Sequence, residues 1–516
     1  MRLEDLILGL EIREVRGSLD REVAKVCFDS REVSRGGLFV ALRGGRRDGH
    51  DHLREAVERG AAVLVVERPP DEAIPELALS RVEGPVPSGA EGPVTLLTVP
   101  DSRRALALLA ANFFGNPAEA LHLIGVTGTN GKTTLTYLIR SILEEAGEPC
   151  GVIGTVSYAD GRGARPASYT TPEPLELHGV LRKMADDGCR FVAMEVSSHA
   201  LALERVHGCR FDAAVFTNLT RDHLDFHADM EHYFQAKARL FHPPFLRNRA
   251  VVCGDDAYGR RLLGDIPLPV WSYGTEAPWD IRAENLSMTL EGTRFDAVTP
   301  AGTFPVQSRL VGRFNVANLL GAVGATLSLG IAPREIAQGI RAMERVPGRM
   351  EKIDEGQDFT VLVDYAHTED ALMRLLQSME GTADRRILTV FGCGGERDRG
   401  KRPRMGRAAA LMSDVVILTS DNPRGEDPRE ILAEIEAGVR ETIASGLGRA
   451  REYRVVEDRR EAVEEAVRMA GRGDMVVIAG KGHETFQIVG DRRIPLDDRE
   501  TAREAIRKRF REKVAG

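Results

Sequence analysis

The strongest constraint on the fold is an alternation of short apolar runs with helical segments through the last third of the chain. The apolar runs are FTVLVDYA, RILTVFG, DVVILTS, YRVVED and DMVVIAG, and a charged helix follows the last of them. Runs of this length, separated by helices, indicate buried strands of a mostly parallel sheet. The pattern predicts a C-terminal, Rossmann-like doubly wound α/β domain over residues 346–516, with ligands at the carboxyl ends of its strands.

A second region with the same alternation begins at residue 121. The run LHLIGVTG leads through a glycine-rich turn into the helical stretch TTLTYLIRSILEEAG, and the runs RFVAMEV and FDAAVFTN follow. These runs predict a parallel sheet, while the segment 281–311 predicts antiparallel strands appended to it. With one helical segment expected from about 316 to 343, the region makes a central P-loop ATPase-like domain at 113–345.

The first part of the chain predicts a small α/β domain over residues 1–112. The runs LFVAL, DHLREAVERG and AAVLVVE indicate a strand, a helix and a strand within residues 37–66. A passage rich in Pro, Gly and Glu at 81–93 is expected to be a loop, and a helix is expected to begin at an N-cap, Asp101. We therefore expect an α/β protein of three domains, which agrees with 516 residues at roughly 150 residues per domain.

Charge and cysteine usage exclude several classes of function. Lys and Arg number 70 against 78 Asp and Glu, a net charge of −8, so no overall positive field exists for nucleic acid or an anionic membrane. The six cysteines include no CxxC pair, which argues against a zinc site or a disulfide framework. No apolar run in the sequence is long enough to span a membrane. We expect a cytoplasmic enzyme or NTPase with small-molecule partners.

A glycine-rich sequence lies between the first strand and the first helix of the predicted central domain. It consists of Gly128, Thr129, Asn130, Gly131, Lys132, Thr133 and Thr134. Backbone N–H groups of such a turn can hold phosphates, while Lys132 can reach the terminal phosphates and Thr133 can offer its hydroxyl to Mg²⁺. Val126 stands where the standard phosphate loop has its first glycine. An ordinary glycine-rich turn is the alternative, and the register with strand and helix favours phosphate binding.

Polar residues follow two other predicted strands of the central domain. Glu195 stands at the carboxyl end of the strand predicted by RFVAMEV, and Asp222, His223 and Asp225 lie in NLTRDHLDFH after the next strand. Carboxylate, imidazole and the phosphate-loop hydroxyl suit a hard divalent cation that also binds phosphate oxygens. A capping or core histidine is the alternative for His223. Composition alone would make Lys237 a solvated surface lysine.

These motifs together resemble the Mur ligase family. The resemblance rests on GTNGKTT, MEVSSHAL, NLTRDHLDFH with the following HYFQAK, GRFNVANLL, VPGRME and DYAH, which span all three predicted domains. DNPR at 421–424 and GKGHE at 480–484 are similar to the members that add meso-2,6-diaminopimelate. The sequence departs from the family at Glu369, where proline is usual, and at Leu203, where some relatives carry glutamine.

The resemblance implies a nucleotide and metal site. Lys132, His223 and Lys237 would be catalytic, and residues 128–134 would bind the phosphates of ATP. The adenine side and the approach from the C-terminal domain would be formed by Asn315, Asn318, Asp364 and His367. The Mg²⁺ ligands would be Thr133, Glu195, His223 and a carbamate on Lys237. A carbamate forms when a neutral lysine amine adds CO₂, and it is an anionic oxygen ligand, as an ammonium could never be.

The resemblance also implies where the other substrates bind. Ser30 would contact the uridine, and the muramoyl dipeptide would be held by Thr170, Thr171, Ser197 and Arg205. The incoming amino acid would be bound by Arg397, Asp421, Asn422, Pro423, Arg424, Gly480 and Glu484. Taken without the family, Ser30 is a cap, Thr170 and Thr171 form a turn, and DNPR is a β-turn with a salt bridge.

The reaction implied by the resemblance is ATP-dependent amide ligation in cytoplasmic peptidoglycan precursor synthesis. The D-glutamate γ-carboxylate of UDP-N-acetylmuramoyl-L-alanyl-D-glutamate would become an acyl phosphate, which the amine of diaminopimelate attacks. Arg424 would select diaminopimelate, because the side chain of lysine offers this buried cation no carboxylate. The enzyme is expected to be a monomer without a nucleic-acid or membrane partner. A folylpolyglutamate synthetase and a P-loop switch that regulates a partner are the alternatives.

Overall fold

The computed structural model describes residues 1–44, 48–69, 94–276, 278–289, 291–379 and 385–515. The loop predicted at 81–93 lies outside these residues. The chain divides into two compact units. The first contains Met1–Gly125, Glu148–Ala214 and Arg239–Asn248, and the second contains Val126–Gly147, Val215–Ala238 and Arg249–Gly516. This division leaves the predicted domain boundaries at 112 and 345 untested, and they stay predictions.

The described residues contain strands and helices in the following chain order. The strands are β1 (Glu14–Arg16), β2 (Lys25–Cys27), β3 (Gly37–Val40), β4 (Ala61–Val66), β5 (Thr95–Thr98), β6 (His122–Thr127), β7 (Cys150–Ile153), β8 (Ser157–Ala159), β9 (Ala164–Pro166), β10 (Phe191–Glu195), β11 (Phe211–Phe216), β12 (Leu246–Cys253), β13 (Val270–Gly274), β14 (Ile281–Thr289), β15 (Gly292–Thr299), β16 (Gly302–Ser308), β17 (Glu351–Ile353), β18 (Thr360–Asp364), β19 (Ile387–Phe391), β20 (Val415–Leu418), β21 (Glu452–Val455), β22 (Met475–Ala479), β23 (Phe486–Val489) and β24 (Arg492–Pro495). The helices are α1 (Leu3–Leu6), α2 (Leu53–Glu58), α3 (Ser102–Phe113), α4 (Lys132–Glu145), α5 (Pro174–Asp186), α6 (Ser198–Ala202), α7 (Met230–Ala238), α8 (Ala257–Leu263), α9 (Arg313–Ser328), α10 (Pro333–Ala342), α11 (Glu369–Gln377), α12 (Lys401–Met412), α13 (Pro428–Ala444), α14 (Arg459–Met469) and α15 (Asp498–Ala515). Short 3₁₀ helices lie at Ser30–Glu32, Gly49–His52, Pro117–Glu119 and Arg239–Phe241.

The first unit begins with a five-stranded sheet in the order β1-β5-β4-β3-β2. Its strands pair in parallel except for β1, which runs antiparallel to β5. Val40, Val63, Leu97 and Leu106 share one hydrophobic core between this sheet and α3. The side chain of Asp101 accepts hydrogen bonds from the first turn of α3, which confirms the predicted N-cap. The predicted small α/β unit at the start of the chain is confirmed.

The chain passes from one unit to the other within strands β6, β11 and β12. In the first unit the sheet order continues from the start of β6 through β10, β7, β8 and β9. β10 and β7 are parallel, with Met194 opposite Ile153, whereas β8 and β9 add an antiparallel edge. The parallel strands are buried along their length, as the apolar runs predicted.

In the second unit the order is β16-β15-β14-β13-β12-β11-β6. β14, β15 and β16 are antiparallel, which confirms the strands predicted at 281–311. The helical segment predicted from about 316 to 343 is formed by two helices, α9 and α10. Gly330 has a left-handed φ of 85°, which is typical of the residue just after a helix, and Pro333 begins α10. The chain therefore has a helix stop followed closely by a helix start.

The end of the chain forms a six-stranded sheet in the order β17-β18-β22-β19-β20-β21. The neighbouring strands β18, β22, β19, β20 and β21 are parallel, and β17 adds an antiparallel edge beside β18. Separate hydrophobic cores cover the two faces, as the doubly wound pattern predicted. The hairpin of β23 and β24 follows β22 and was not predicted. The motifs DYAH, GGERDR, DNPR and GKGHE all begin at or just after carboxyl ends of these parallel strands.

Every helix of the described ranges is too short or too polar to cross a membrane.

Candidate functional site

The glycine-rich turn between β6 and α4 has a backbone that requires glycine at two positions. Gly128 and Gly131 have φ values of 143° and 91°. A Cβ atom on Gly128 would overlap the hydroxyl of Thr217, and one on Gly131 would overlap the side-chain oxygen of Asn318. The turn is therefore tightly packed as well as left-handed, and a side chain at either position would displace it.

The residues after β11 hold this phosphate loop (residues 128–134) in place. The carbonyl oxygen of Asn218 accepts from the amide of Thr129 at 2.9 Å, and its side-chain oxygen accepts from the amide of Asn130 at 3.0 Å. The hydroxyl of Thr217 donates to the carbonyl of Asn130 at 2.6 Å. Gly131, the N-cap of α4, supplies no side-chain cap to the first turn. The N–H groups of that turn can therefore receive an anion such as a phosphate.

Two side chains on the first turn of α4 have the chemistry predicted for a nucleotide site. The Nζ atom of Lys132 lies 2.9 Å from the carbonyl oxygens of both Gly128 and Thr129. Thr133 is buried, and its hydroxyl accepts from a guanidinium nitrogen of Arg349 at 3.0 Å. Arg349 was not singled out from the sequence, although it lies in the motif VPGRME. It adds a cation to the same end of α4.

Lys237 is buried against the phosphate loop. Its side chain is 1% exposed, and its Nζ atom donates to the carbonyl of Gly128 at 2.8 Å. The ring of Tyr233 lies 4.7 Å from the same atom. Burial and the nearby Lys132 cation hold the pKa of Lys237 well below its usual value, against an opposing effect of Asp222. The surface-lysine interpretation from composition is therefore wrong, and a neutral amine is favoured at this position.

His223 and Asp222 lie together in the NLTRDH loop (residues 218–223). His223 has a left-handed φ of 56°, and its Nε2 atom is 3.4 Å from a carboxylate oxygen of Asp222. Lys401 Nζ and His367 Nε2 each lie 3.8 Å from the same carboxylate. Burial alone would raise the pKa of Asp222, but the neighbouring His223, Lys401 and His367 hold it below its usual value. Asp225, also singled out from the sequence, is exposed.

Glu195 lies in the first unit at the end of β10. Its carboxylate accepts from the amide and the hydroxyl of Thr155 at 2.9 and 3.0 Å. The hydroxyl of Thr155 in turn lies 3.0 Å from that of Thr170. Glu195 is buried, and among the described residues its carboxylate bonds to neutral groups. The hydroxyl shared with Thr170 brings this carboxylate close to the residues predicted for the dipeptide.

The residues predicted to hold the muramoyl dipeptide are brought together in the first unit. The hydroxyl of Thr171 donates to the carbonyl of Glu195 at 2.8 Å and accepts from the amide of Ser197 at 3.0 Å. Arg205 donates to the carbonyl of Thr171 at 3.0 Å and packs on the ring of Tyr169. Ser30, predicted for the uridine, lies elsewhere in this unit and donates to Glu55 at 2.7 Å.

The predicted nucleotide residues of the later chain lie in the second unit. Asn318 Nδ2 donates to the side-chain oxygen of Asn315 at 3.1 Å, and both are buried on α9. Asp364 accepts from the amides of Met350 and Ala366, each at 2.7 Å. Burial raises the pKa of Asp364 despite those bonds and the nearby Arg349. Asn318 thus contacts the phosphate loop through Gly131, while Asp364 fixes the backbone beside Arg349.

Three loops at the end of the C-terminal sheet gather the residues predicted for the amino acid. Lys481 is fully buried, and its Nζ atom lies 2.7 Å from Glu484 and 3.1 Å from the side-chain oxygen of Asn422. The side-chain Nδ2 atom of Asn422 donates to the same Glu484 oxygen at 2.9 Å. A Cβ atom on Gly480 would lie 2.7 Å from the carboxylate of Asp421, so these two positions are adjacent.

Arg424 is held by its backbone and by its guanidinium. Its φ is 54°, its amide donates to Ile488, and its carbonyl accepts from Gly490. The guanidinium donates to the carbonyl of Gly395 at 2.7 Å. Burial and the Arg397 cation lower the pKa of Arg424. Arg424 retains further donors, so a carboxylate could pair with it.

A buried ion pair beneath these loops was missed from the sequence. Arg459 and Asp498 are fully buried and joined by two bonds of 2.8 Å. Arg459 also donates to the carbonyl of Ala479 at 2.9 Å, at the end of β22. Burial would raise the pKa of Asp421, but Lys481 and Arg459 hold it below its usual value. The pair had no signal in the sequence, because its partners are far apart in the chain.

In the described ranges, no group of three or more His, Cys, Asp and Glu side chains is placed to hold a metal ion. Mg²⁺ at nucleotide sites needs fewer protein ligands, because phosphate oxygens and water supply the rest of its octahedral coordination. The hydroxyl of Thr133 at the phosphate loop and the imidazole of His223 in the same unit fit that requirement.

Comparison with known proteins assigns three parts of the chain to one family. The matching descriptions are "Mur ligase family, catalytic domain" at residues 22–114, "Mur ligase middle domain" at 126–326 and "Mur ligase, glutamate ligase domain" at 348–482. They agree in order with the three predicted regions.

Relatives match the chain over almost its whole length. The UDP-N-acetylmuramoyl-L-alanyl-D-glutamate--2,6-diaminopimelate ligase of Geobacter metallireducens is 48% identical over 522 residues, 98% of each chain. The protein of the same name from Geobacillus thermodenitrificans is 45% identical over 517 residues, 99% of this chain and 100% of the relative. A solved structure of a ligase of that name is 33% identical, with a TM-score of 0.65 and 99% of each chain covered.

Proposed function

This chain belongs to the Mur ligase family, and we propose that it adds meso-2,6-diaminopimelate to UDP-N-acetylmuramoyl-L-alanyl-D-glutamate at the expense of ATP. It is an ATP-dependent ligase of peptidoglycan precursor synthesis, and its relatives of 45% and 48% identity are named UDP-N-acetylmuramoyl-L-alanyl-D-glutamate--2,6-diaminopimelate ligase. The observation that carries the amino-acid specificity is the gathering of Asn422, Arg424 and Glu484 at the ends of neighbouring parallel strands. Full-length similarity supports this ligase over a folylpolyglutamate synthetase.

The first step activates the acceptor carboxylate. The D-glutamate γ-carboxylate attacks the γ-phosphorus of ATP, so a carboxylate O–P bond forms, the bond to the β-phosphate oxygen breaks, and ADP leaves. The open N–H groups of α4 and the Lys132 ammonium stabilise the negative charge that moves between these oxygens. Thr171, Ser197 and Arg205 hold the dipeptide near Glu195 in this proposal.

The second step forms the amide. A neutral amine of diaminopimelate attacks the acyl carbon, and its nitrogen loses a proton to water. The tetrahedral intermediate then expels phosphate with the electron pair of the C–O bond. The second amino-acid head of diaminopimelate carries one carboxylate and one ammonium. Arg424 pairs with the carboxylate, while Glu484 and Asp421 receive the ammonium. L-Lysine lacks that carboxylate and leaves Arg424 without an anionic partner, so it is a poor substrate.

Metal binding is part of the proposal. Thr133, His223, Glu195 and a carbamate on Lys237 would hold Mg²⁺ ions. Bound there, Mg²⁺ would neutralise phosphate charge during the transfer. The buried, neutral-favouring environment of Lys237 supports its reaction with CO₂, in which the amine nitrogen bonds to carbon and a proton leaves. We also propose that the enzyme works as a monomer in the cytoplasm.

Phosphate release with a panel of substrates tests the function. We expect turnover only when ATP, the nucleotide-sugar dipeptide and meso-diaminopimelate are all present, and little turnover with L-lysine. Turnover with folate and glutamate would instead indicate the folylpolyglutamate synthetase. ATP hydrolysis at a rate that no added amino acid changes would indicate a P-loop switch that regulates a partner, and it would refute the ligase assignment.

A further inference from the structure

An ion pair joins two loops that carry different parts of the proposed site. Arg221 lies in the NLTRDH loop, and Asp398 lies in the ERDRGK loop (residues 396–401) after β19. Arg221 Nε and Nη2 lie 3.1 and 3.2 Å from the two carboxylate oxygens of Asp398. Such a two-bond fork fixes direction as well as distance between its partners.

The pair is anchored on the Asp398 side. Asp398 is 7% exposed, and its carboxylate also accepts from the amide of Gly400 at 2.9 Å. A Cβ atom on Gly400 would lie 2.7 Å from the Arg221 guanidinium, so the guanidinium lies close to the loop backbone. The backbone just before α12 thus fixes the position of the Asp398 carboxylate to which Arg221 donates.

A second contact between the same loops reinforces the first. The carboxylate of Asp222 lies 3.8 Å from Lys401 Nζ, so charges of opposite sign face each other at two successive positions. Asn130 of the phosphate loop also donates to Asp370 at 3.0 Å, which ties α11 to the same region. The Arg221 contact differs from these two in its fork geometry.

The neighbours of this pair in the chain have proposed roles in the reaction. Asp222 separates Arg221 from His223, which is proposed to bind the metal. Asp398 directly follows Arg397, which is proposed to bind the amino acid. The fork therefore connects, over a separation of 177 residues, a loop of the acyl-phosphate site to a loop of the amine site.

We propose that Arg221 and Asp398 are positioning residues that align the bound amine with the acyl phosphate. The proposal rests on the ligase function proposed above. The Arg221 side chain is 35% exposed, and an ion pair with a partly exposed partner contributes only modestly to stability. A misplacement of reacting groups by about 1 Å, in contrast, lowers rate by as much as 100-fold. The pair should therefore affect capture of the acyl phosphate more than it affects folding.

Hydroxylamine separates the two steps experimentally. It attacks the acyl carbon to form a hydroxamate, expels phosphate, and needs no amino-acid site. The measurement is phosphate release with ATP and the nucleotide-sugar dipeptide, once with meso-diaminopimelate and once with hydroxylamine. In Arg221→Ala we expect the ratio of the first rate to the second to fall at least about fivefold below wild type. A smaller change in this ratio overturns the proposal.

Further variants guard against a loss of folding. Arg221→Lys keeps the charge but loses the fork, and Asp398→Asn keeps an acceptor for Gly400, so both should lower the ratio with an unchanged melting temperature. The matched control is Arg399→Ala in the same loop, whose exposed guanidinium pairs with Glu434. An equal fall in Arg399→Ala would overturn the specific role of the pair. If wild type itself shows no joint dependence on dipeptide and amino acid, the function proposal fails instead.

Discussion

The Nζ atom of Lys237 lies 2.8 Å from the carbonyl oxygen of Gly128, so a buried lysine of α7 contacts the first residue of the phosphate loop. The same carbonyl accepts from Lys132 at 2.9 Å. Two lysines that share one acceptor in a buried place repel each other when both are charged, and Lys237 has the lowered pKa. The arrangement favours one ammonium and one neutral amine.

Replacement of Lys237 tests the role of that amine. In Lys237→Ala we expect the rate of phosphate release to fall about 10- to 100-fold or more, because a group that orients the metal is lost. Short carboxylates such as acetate should restore part of the rate by supplying an anionic oxygen. The control is Gln235→Ala, an exposed position of the same helix. Wild-type activity in Lys237→Ala would reject the role.

Replacement of Arg424 tests the choice of amino acid. Loss of a charge-assisted pair should lower kcat/KM for meso-diaminopimelate in Arg424→Ala by about 10- to 100-fold, mostly through KM. Activity with L-lysine should change far less, since lysine offers no carboxylate to this guanidinium. Arg429→Ala, with its side chain 81% exposed on α13, is the control. Equal losses with both amino acids would contradict the pairing.

Alanine substitutions at two glycines with similar backbone angles distinguish the effect of backbone strain from the effect of a steric clash. Gly131 and Gly147 have φ values of 91° and 77°, but a Cβ atom would overlap Asn318 at the first and meet open space at the second. We expect Gly147→Ala to lose about 1 kcal/mol of stability and to bind ATP normally. Gly131→Ala should in addition weaken ATP binding, measured by calorimetry. Normal ATP affinity in Gly131→Ala would argue against this loop as the phosphate site.

The buried His178 of α5 predicts a dependence of stability on pH. Burial lowers its pKa from 6.5 to about 4, so between these values the unfolded chain binds more protons than the folded one. Its contribution to stability is complete above pH 6.5 and is lost as pH falls toward 4, by about 2 kcal/mol at pH 5. Urea midpoints at pH 7.5 and 5 should therefore differ less in His178→Leu than in wild type. Replacement of exposed His232 should leave the difference unchanged.

Much of the fold was predictable because strands and helices alternate with clear apolar periods. The C-terminal doubly wound sheet, the turn before Lys132 and the antiparallel strands near residue 290 follow from local patterns. The break between α9 and α10 was missed, because apolar residues continue through it and only Gly330 and Pro333 mark the stop and start. Local pattern thus located elements better than their ends.

The candidate site was less accessible to sequence reasoning. Composition makes Lys237 a surface lysine, whereas its burial depends on contacts with a loop 109 residues earlier. The Arg221–Asp398 fork and the Arg459–Asp498 pair join residues that no short motif connects. The resemblance to a family supplied the proposed roles of Lys237 and Arg424, whereas the structure supplied their surroundings.

The left-handed backbone at Arg424 limits how the preference for the incoming amino acid could be re-engineered. Both backbone groups of this residue bond to the hairpin that follows the GKGHE motif, so the loop geometry persists only with residues that accept a positive φ. Asn, Asp and Gly accept it readily, whereas Val, Ile and Thr would strain the turn. A library aimed at other diamines should therefore offer the small residues at 424 and explore new charges at 397, where no such backbone demand exists.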